Sequence, residues 1–166
     1  AVKADGEILA LRYHQIDDCG AYLRAPEPAT FYRMHGMLTG AYKVRHLDVR
    51  NQVVLTNKTP TGLVRGFGGP QMYFALERLM QRIAVELGLD PLDVIVRNLI
   101  DADAFPYSTP AGSLYDSGNY QAAVEQARKE GRLDELLARR DQVRANGGLY
   151  GIGYAMIVEP SISNMG

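Results

Sequence analysis

The sequence predicts an α+β fold, a two-layer mixed sheet with helices packed on one face. Residues 7–14 and 44–56 show the alternation and β-branched content of strands. The middle of the chain carries apolar residues at helical spacing, and after residue 147 an apolar strand pattern returns. The chain has 166 residues, 46% apolar and 22% charged, which is enough material to bury a core.

Taken in order, Asp5-Gly6 is a hairpin turn signal between Val2-Lys3 and Glu7–Leu11. The short first arm, the absence of an initiating methionine and the apolar end at Asn164-Met165-Gly166 suggest a chain cut from a longer polypeptide or completed by a partner. Residues 15–28, with Asp17-Asp18, Gly20, Pro26 and Pro28, read as turn and loop, with a short strand at Ala21–Leu23 as an option. A helix weakened by Gly36 is expected over 29–39, then one long strand or two short ones over 44–56. Pro70 opens the best helix, with Met72, Leu76, Leu79/Met80, Ile83 and Leu87 on one side, an Arg82–Glu86 pair on the wet side, and Gly88 at its end. Asp90 caps the next helix, with Pro91 at its first position and Asp93 three residues after the cap; Leu92, Ile95, Val96 and Leu99 are expected inward. The Pro- and Gly-rich stretch 101–118 is a long loop expected to be functional or to wrap over a neighbour. Two charged helices, 119–130 and 132–145, precede the Gly147-Gly148 break and a strand over Leu149–Val158.

These segments form one partial domain, 1–166: strands and loop (1–58), glycine loop with helices (59–100), long loop (101–118), charged helical hairpin (119–146) and strand (147–166). Eighteen Lys+Arg against 19 Asp+Glu give a net charge of −1, which argues against nucleic acid and anionic membranes as partners. The single cysteine, Cys19, excludes an internal disulfide and fits a cytoplasmic location; without a neighbouring base it reads as an inert thiol. His14, His35 and His46 lack metal-ligand spacing, so no metal ligands are assigned. Asp17-Asp18 reads as a hydrated turn pair, and no hydrolase or kinase motif is present.

The one segment above background is Arg65-Gly66-Phe67-Gly68-Gly69-Pro70-Gln71. Glycines beside a helix start let backbone approach a ligand, and the helix offers N–H groups and a positive dipole end. Arg65 adds a charged fork and Phe67 a ring face. Gln71 stands where a Rossmann fingerprint needs its third glycine, and the lysine of a P-loop is absent. A phosphate-binding protein using the helix start at Pro70 is a minor alternative.

Thr56-Asn57-Lys58 through Gln71, Leu76-Glu77-Arg78, Glu86-Leu87-Gly88, Asp90-Pro91 and Arg97–Ile100 together resemble the molybdenum-binding large subunit of the xanthine dehydrogenase/aldehyde oxidase family. Phe105-Pro106-Tyr107, Thr109-Pro110, Tyr115–Gly118, Gly151-Ile152-Gly153 and Glu159-Pro160-Ser161 extend the resemblance along most of the chain. It implies part of a molybdopterin-binding domain in which Arg65, Gly66, Phe67 and Gly68 face the cofactor. By the same resemblance, Leu63, Val64, Phe67 and Glu159 border the substrate pocket. The implied reaction is oxidative hydroxylation, with water, of an aldehyde, a heteroaromatic ring or a similar small molecule. Iron–sulfur and FAD subunits would be partners, together with the remaining segments of the large subunit. The family's general-base glutamate and glutamine loop are not found in these 166 residues, so no catalytic residue is assigned and the isolated chain is expected to be inactive. The alternative is a non-catalytic α+β scaffold or assembly module derived from that domain.

Overall fold

Alternating, β-branched sequence puts two nine-residue stretches into extended backbone, and they pair with each other. In the computed structural model, which describes residues 1–25, 27 and 34–159, β1 (Ala10–Asp18) lies parallel to β2 (His46–Val54). Ala10 stands opposite His46 and Asp18 opposite Val54. A parallel pair requires a crossover, supplied here by residues 19–45. Before β1, Val2 bridges Ile8 across the turn at Gly6, as the Asp5-Gly6 signal predicts. β1 starts later than residue 7 and runs on through Asp18, where a turn is expected. Pairing of Gln15–Asp18 with Asn51–Val54 overrides the local turn preference of the two aspartates. Residues 21 and 22 form a turn and a bend, and no strand covers 21–23.

The central helix, α1 (Gly69–Leu87), forms where predicted and ends at Gly88, whose φ of 66° and N–H bonds to the Ala84 and Val85 carbonyls make a left-handed cap. Met72, Leu76, Met80 and Ile83 are buried, whereas Leu79 and Leu87 remain partly exposed. α1 contributes to both apolar clusters found among the described residues. One gathers Tyr42, Leu76, Met80, Ile95 and Leu99; the other gathers Met34, Leu38, Met72, Ile100 and Tyr115.

α2 (Pro91–Asn98) is capped by Asp90, whose Oδ1 accepts the N–H of Leu92 at 2.7 Å and of Asp93 at 3.3 Å. Its inward face differs from expectation. Val94, Ile95 and Asn98 are buried, and Val96 points partly to solvent. Asn98 supplies the reason: its Oδ1 accepts the Ile8 N–H at 2.8 Å, and its Nδ2 donates to the carbonyls of Gly6 at 2.9 Å and Val94 at 2.8 Å. Satisfying three buried backbone groups of the hairpin and helix turns Val94 inward with it.

The 101–118 stretch contains a small antiparallel pair, β3 (Tyr107–Ser108) with β4 (Leu114–Tyr115), and it wraps over residues 34–42 as expected. Tyr115 Oη donates to the Gly40 carbonyl at 3.1 Å and Thr109 Oγ1 to the Gly36 carbonyl at 2.5 Å. A Cβ on Gly36 would stand 2.9 Å from Ser113 Cβ and 3.1 Å from its backbone nitrogen, so the close approach favours glycine. The α+β class holds, but the strands form two separate two-stranded sheets among the described residues, not one mixed sheet. Of the helix expected over 29–39, residues 35–37 form a 3₁₀ turn; 29–33 lie outside the described residues.

The charged helical hairpin is α3 (Tyr120–Glu130) and α4 (Leu133–Ala145), largely exposed, with Arg128 and Asp134 paired at 3.0 Å. Residues 149–158 are extended, and 152, 154, 156 and 158 alternate half-buried with exposed neighbours. They join no ladder among the described residues, and 160–166 lie outside them. No described helix is long and apolar enough to cross a membrane.

Asn98→Ala leaves the Ile8 amide and Gly6 carbonyl without their partner and should lower stability by about 2–3 kcal/mol, read from the urea midpoint at unchanged m-value.

Candidate functional site

The approach to the glycine loop is stitched to the end of β1. Thr56 donates its N–H to the Gly20 carbonyl at 2.9 Å, and the Ala21 and Thr61 amides reach the carbonyls of Lys58 and Cys19. Asp18 fastens the same junction: its Oδ1 accepts Thr56 Oγ1 at 2.7 Å and the Gly20 amide at 3.1 Å, and its Oδ2 pairs with Lys58. The Lys58 ammonium, the Thr56 hydroxyl and the Gly20 amide hold this carboxyl down at about 2. Cys19 is buried beside it, and burial with the charge of Asp17 pushes its thiol up, consistent with an inert cysteine.

Beyond Gly62 the chain makes two successive turns. The Phe67 N–H reaches the Val64 carbonyl at 3.0 Å, and the Gly69 N–H reaches the Gly66 carbonyl at 3.0 Å. Gly66 and Gly68 are the third residues of these turns, with φ of 85° and 82°, the position at which a type II turn requires positive φ. Gly68 is also the N-cap of α1 and, as glycine, offers no side-chain cap of its own. A Cβ at Gly66 would meet nothing within 4 Å, so this stretch of backbone faces open space. Arg65 is exposed and in no ion pair among the described residues; Val64 is exposed, and Leu63 and Phe67 are half-buried.

Of the residues singled out from sequence, the fold brings the loop and Glu159 together. A Cβ at Gly69 would lie 3.5 Å from Glu159 Oε2, although 90 residues separate the two. Arg65 and Val64 are instead exposed. A cavity of about 430 Å³ between β1 and α1 has Gln71, Tyr13 and Leu76 in its wall, next to the end of the loop. The larger cavity, about 550 Å³, lies elsewhere, between α2, α3 and residues 152–157.

Glu77 is the residue sequence reasoning left without a role. It sits on the core face of α1 at 6% exposure. Tyr42 Oη donates to both of its oxygens at 2.9 Å, and the Met156 N–H donates to Oε2 at 2.9 Å. Burial raises its pKa, opposed by the Met156 and Tyr42 hydrogen bonds. Burial also pushes the Tyr42 phenol far up, and the Glu77 charge adds to this. A carboxylate on the apolar stripe of the best helix was the available sequence signal, since a charged residue is seldom buried unless paired.

A group held above its ordinary value of 4.5 binds its proton more tightly in the folded state than in the unfolded one. Its contribution to stability is therefore complete below 4.5 and is lost as pH rises through the folded value. Urea unfolding of Glu77→Gln should show a flatter pH dependence above 4.5, with the variant gaining on the wild type as pH rises to 7. Asp18 acts with the opposite sign: its stabilisation is present above its ordinary 3.8 and is lost as pH falls through about 2.

The molybdopterin cofactor-binding domain family matches residues 1–99. The chain is 30% identical over 165 residues to the 6-hydroxypseudooxynicotine dehydrogenase complex subunit gamma of Paenarthrobacter nicotinovorans, covering 96% of this chain and 21% of that protein. It is 32% identical over 173 residues to the carbon monoxide dehydrogenase large chain of Afipia carboxidovorans, covering 96% and 21%. Its fold matches that of reconstituted CO dehydrogenase from Oligotropha carboxidovorans with a TM-score of 0.80 at 30% identity, covering 89% of this chain and 19% of that one. The chain thus spans about a fifth of the length of the curated relatives it matches.

Proposed function

Because the chain belongs to the molybdopterin cofactor-binding domain family, in the part found in large subunits of molybdenum hydroxylases, we propose that it supplies one wall of a molybdopterin and substrate site. The reaction served is the water-dependent oxidative hydroxylation of an aldehyde or heteroaromatic small molecule. The observation that carries this reading is the loop before α1, where two positive-φ glycines shape the backbone, Gly66 facing open space and the helix start lying beside Glu159.

That arrangement fits an anionic, oxygen-rich group. Such a group needs N–H donors and a positive field, and a helix start without a side-chain cap offers both. In this reading Arg65, Gly66, Phe67 and Gly68 hold the cofactor, with the Arg65 guanidinium free to add charge-assisted hydrogen bonds. The half-buried Phe67 ring packs against substrate; Leu63 and Val64 shape the pocket, and Glu159 borders it. When bound, the molybdenum centre supplies two-electron oxidation of a substrate carbon, with water as the oxygen source. This chain orients the substrate and excludes water from one side. The general base comes from the remaining large-subunit segments, so the isolated chain is inactive. Residues 1–166 act as one partial domain, in a cytoplasmic assembly with iron–sulfur and FAD subunits. The words "complex subunit" and "large chain" in the names of the relatives support a multi-subunit setting.

Metal analysis of the natively purified assembly tests this. Molybdenum should be present in it and absent from the chain expressed alone. Gly66→Val places a β-branched residue at a φ of 85° with no clash to confuse the result, at a strain cost of roughly 1–3 kcal/mol. It should lose most of the metal while still folding cooperatively, with its urea midpoint lowered only by that strain. An assembly free of molybdenum, from cells whose other molybdenum enzymes are loaded, would sink the cofactor role and favour the scaffold module.

A further inference from the structure

Three side chains on one face of α1 hold the backbone of the extended C-terminal segment. Tyr73 Oη donates to the Val158 carbonyl, Glu77 Oε2 accepts the Met156 N–H at 2.9 Å, and Gln81 Nε2 donates to the Tyr154 carbonyl at 3.3 Å. The helix residues are spaced by four and the segment residues by two, in opposite directions. Four helical residues rise about 6 Å, and two extended residues advance about 6.6 Å. The two repeats therefore stay in step over three rungs. Residues 154, 156 and 158 present their backbone groups along one edge of the segment, and their side chains are the ones packed on the core.

We infer that Glu77 is a positioning residue of the proposed site: with Tyr73 and Gln81 it forms a polar ladder that fixes where residues 154–158 lie on α1, and so holds Glu159 at the glycine loop. The inference rests on the functional reading above for what Glu159 and the loop are for, but the ladder itself stands on contacts. A one-residue slip would turn Ala155 and Ile157 inward and point the wrong backbone edge at α1. The ladder thus sets parity and pitch, while the fit of Tyr154, Met156 and Val158 into the core selects the register. Glu77 is the rung that a donor side chain cannot replace, because it alone accepts an N–H. Its second partner, Tyr42, comes from the crossover between β1 and β2, so the carboxylate ties the segment to the parallel sheet as well. The outcome lies one residue beyond the last rung: Val158 is held, and Glu159 Oε2 sits over Gly69.

The test is amide hydrogen exchange on the complete polypeptide that contains this chain, in its native assembly, with molybdenum content measured on the same samples. Glu77→Leu should speed exchange at Met156 about tenfold, the loss of one charge-assisted hydrogen bond. Residues 153–159 should loosen with it, while amides in the middle of α1 and in β1 keep their protection. Glu77→Gln retains a side-chain oxygen for the Met156 N–H and should restore most of that protection. Tyr73→Phe keeps the ring and should loosen mainly the end at 157–159. Unchanged exchange in Glu77→Leu overturns the ladder. So does an equal rise across α1 and β1, which would make Glu77 a general core residue, and so does a failure of Glu77→Gln to rescue. Molybdenum missing from the wild-type assembly overturns the functional reading and the positioning role with it, whereas unchanged exchange in a molybdenum-bearing assembly overturns the ladder alone.

Discussion

The buried carboxylate of Glu77 is the constraint around which the described structure is arranged. An ionised group at 6% exposure without partners would cost several kcal/mol, enough to consume much of the stability of a domain this size. It is tolerated because each of its oxygens is met: Oε1 by the Tyr42 hydroxyl, Oε2 by that hydroxyl and the Met156 amide. Those partners come from two distant places in the chain. α1 can pack in this way only if the crossover segment presents Tyr42 and the C-terminal segment lies along the helix. Tyr42 in turn bridges Leu99 at the end of α2, which carries the arrangement on to the Asn98 contacts that hold the N-terminal hairpin.

The proposed site follows from this arrangement and is made mainly of backbone. Its loop carries one charged side chain, Arg65, and owes its form to two glycines in consecutive turns. Glycine backbone of this kind is inexpensive to distort, so its shape must be fixed from both ends. The Asp18–Thr56–Lys58 cluster fixes the entry and the start of α1 fixes the exit. Glu159 then reaches the loop from 90 residues away, carried there by the segment that Tyr73, Glu77 and Gln81 hold.

Features governed by short-range physics were legible in the sequence. The Asp5-Gly6 turn, the start and end of α1, the Asp90 cap and the charged hairpin of α3 and α4 each depend on residues within a few positions of one another, and each formed where expected. The composition of the loop was legible for the same reason, since a glycine needed at positive φ is needed there whatever surrounds it. The misses are the places where a distant partner decides. β1 runs through Asp17-Asp18 because β2 pairs with it. Val96 yields its inward place to Val94 because Asn98 must reach the hairpin. Residues 149–158 have a strand pattern, yet among the described residues no second strand lies beside them.

What the sequence by itself determined, then, is the α+β class, the helices with their caps, and the loop at the start of α1, together with the family resemblance. The tertiary structure alone decided that Glu77 is buried, that it takes partners from residues 42 and 156, and that Glu159 stands over Gly69. The physical reason is the range of the forces involved. Turn and cap preferences act through neighbouring backbone and are written into short motifs. The partners of a buried charge are chosen by whichever segments packing brings within about 3 Å of it, and a linear pattern does not carry that choice.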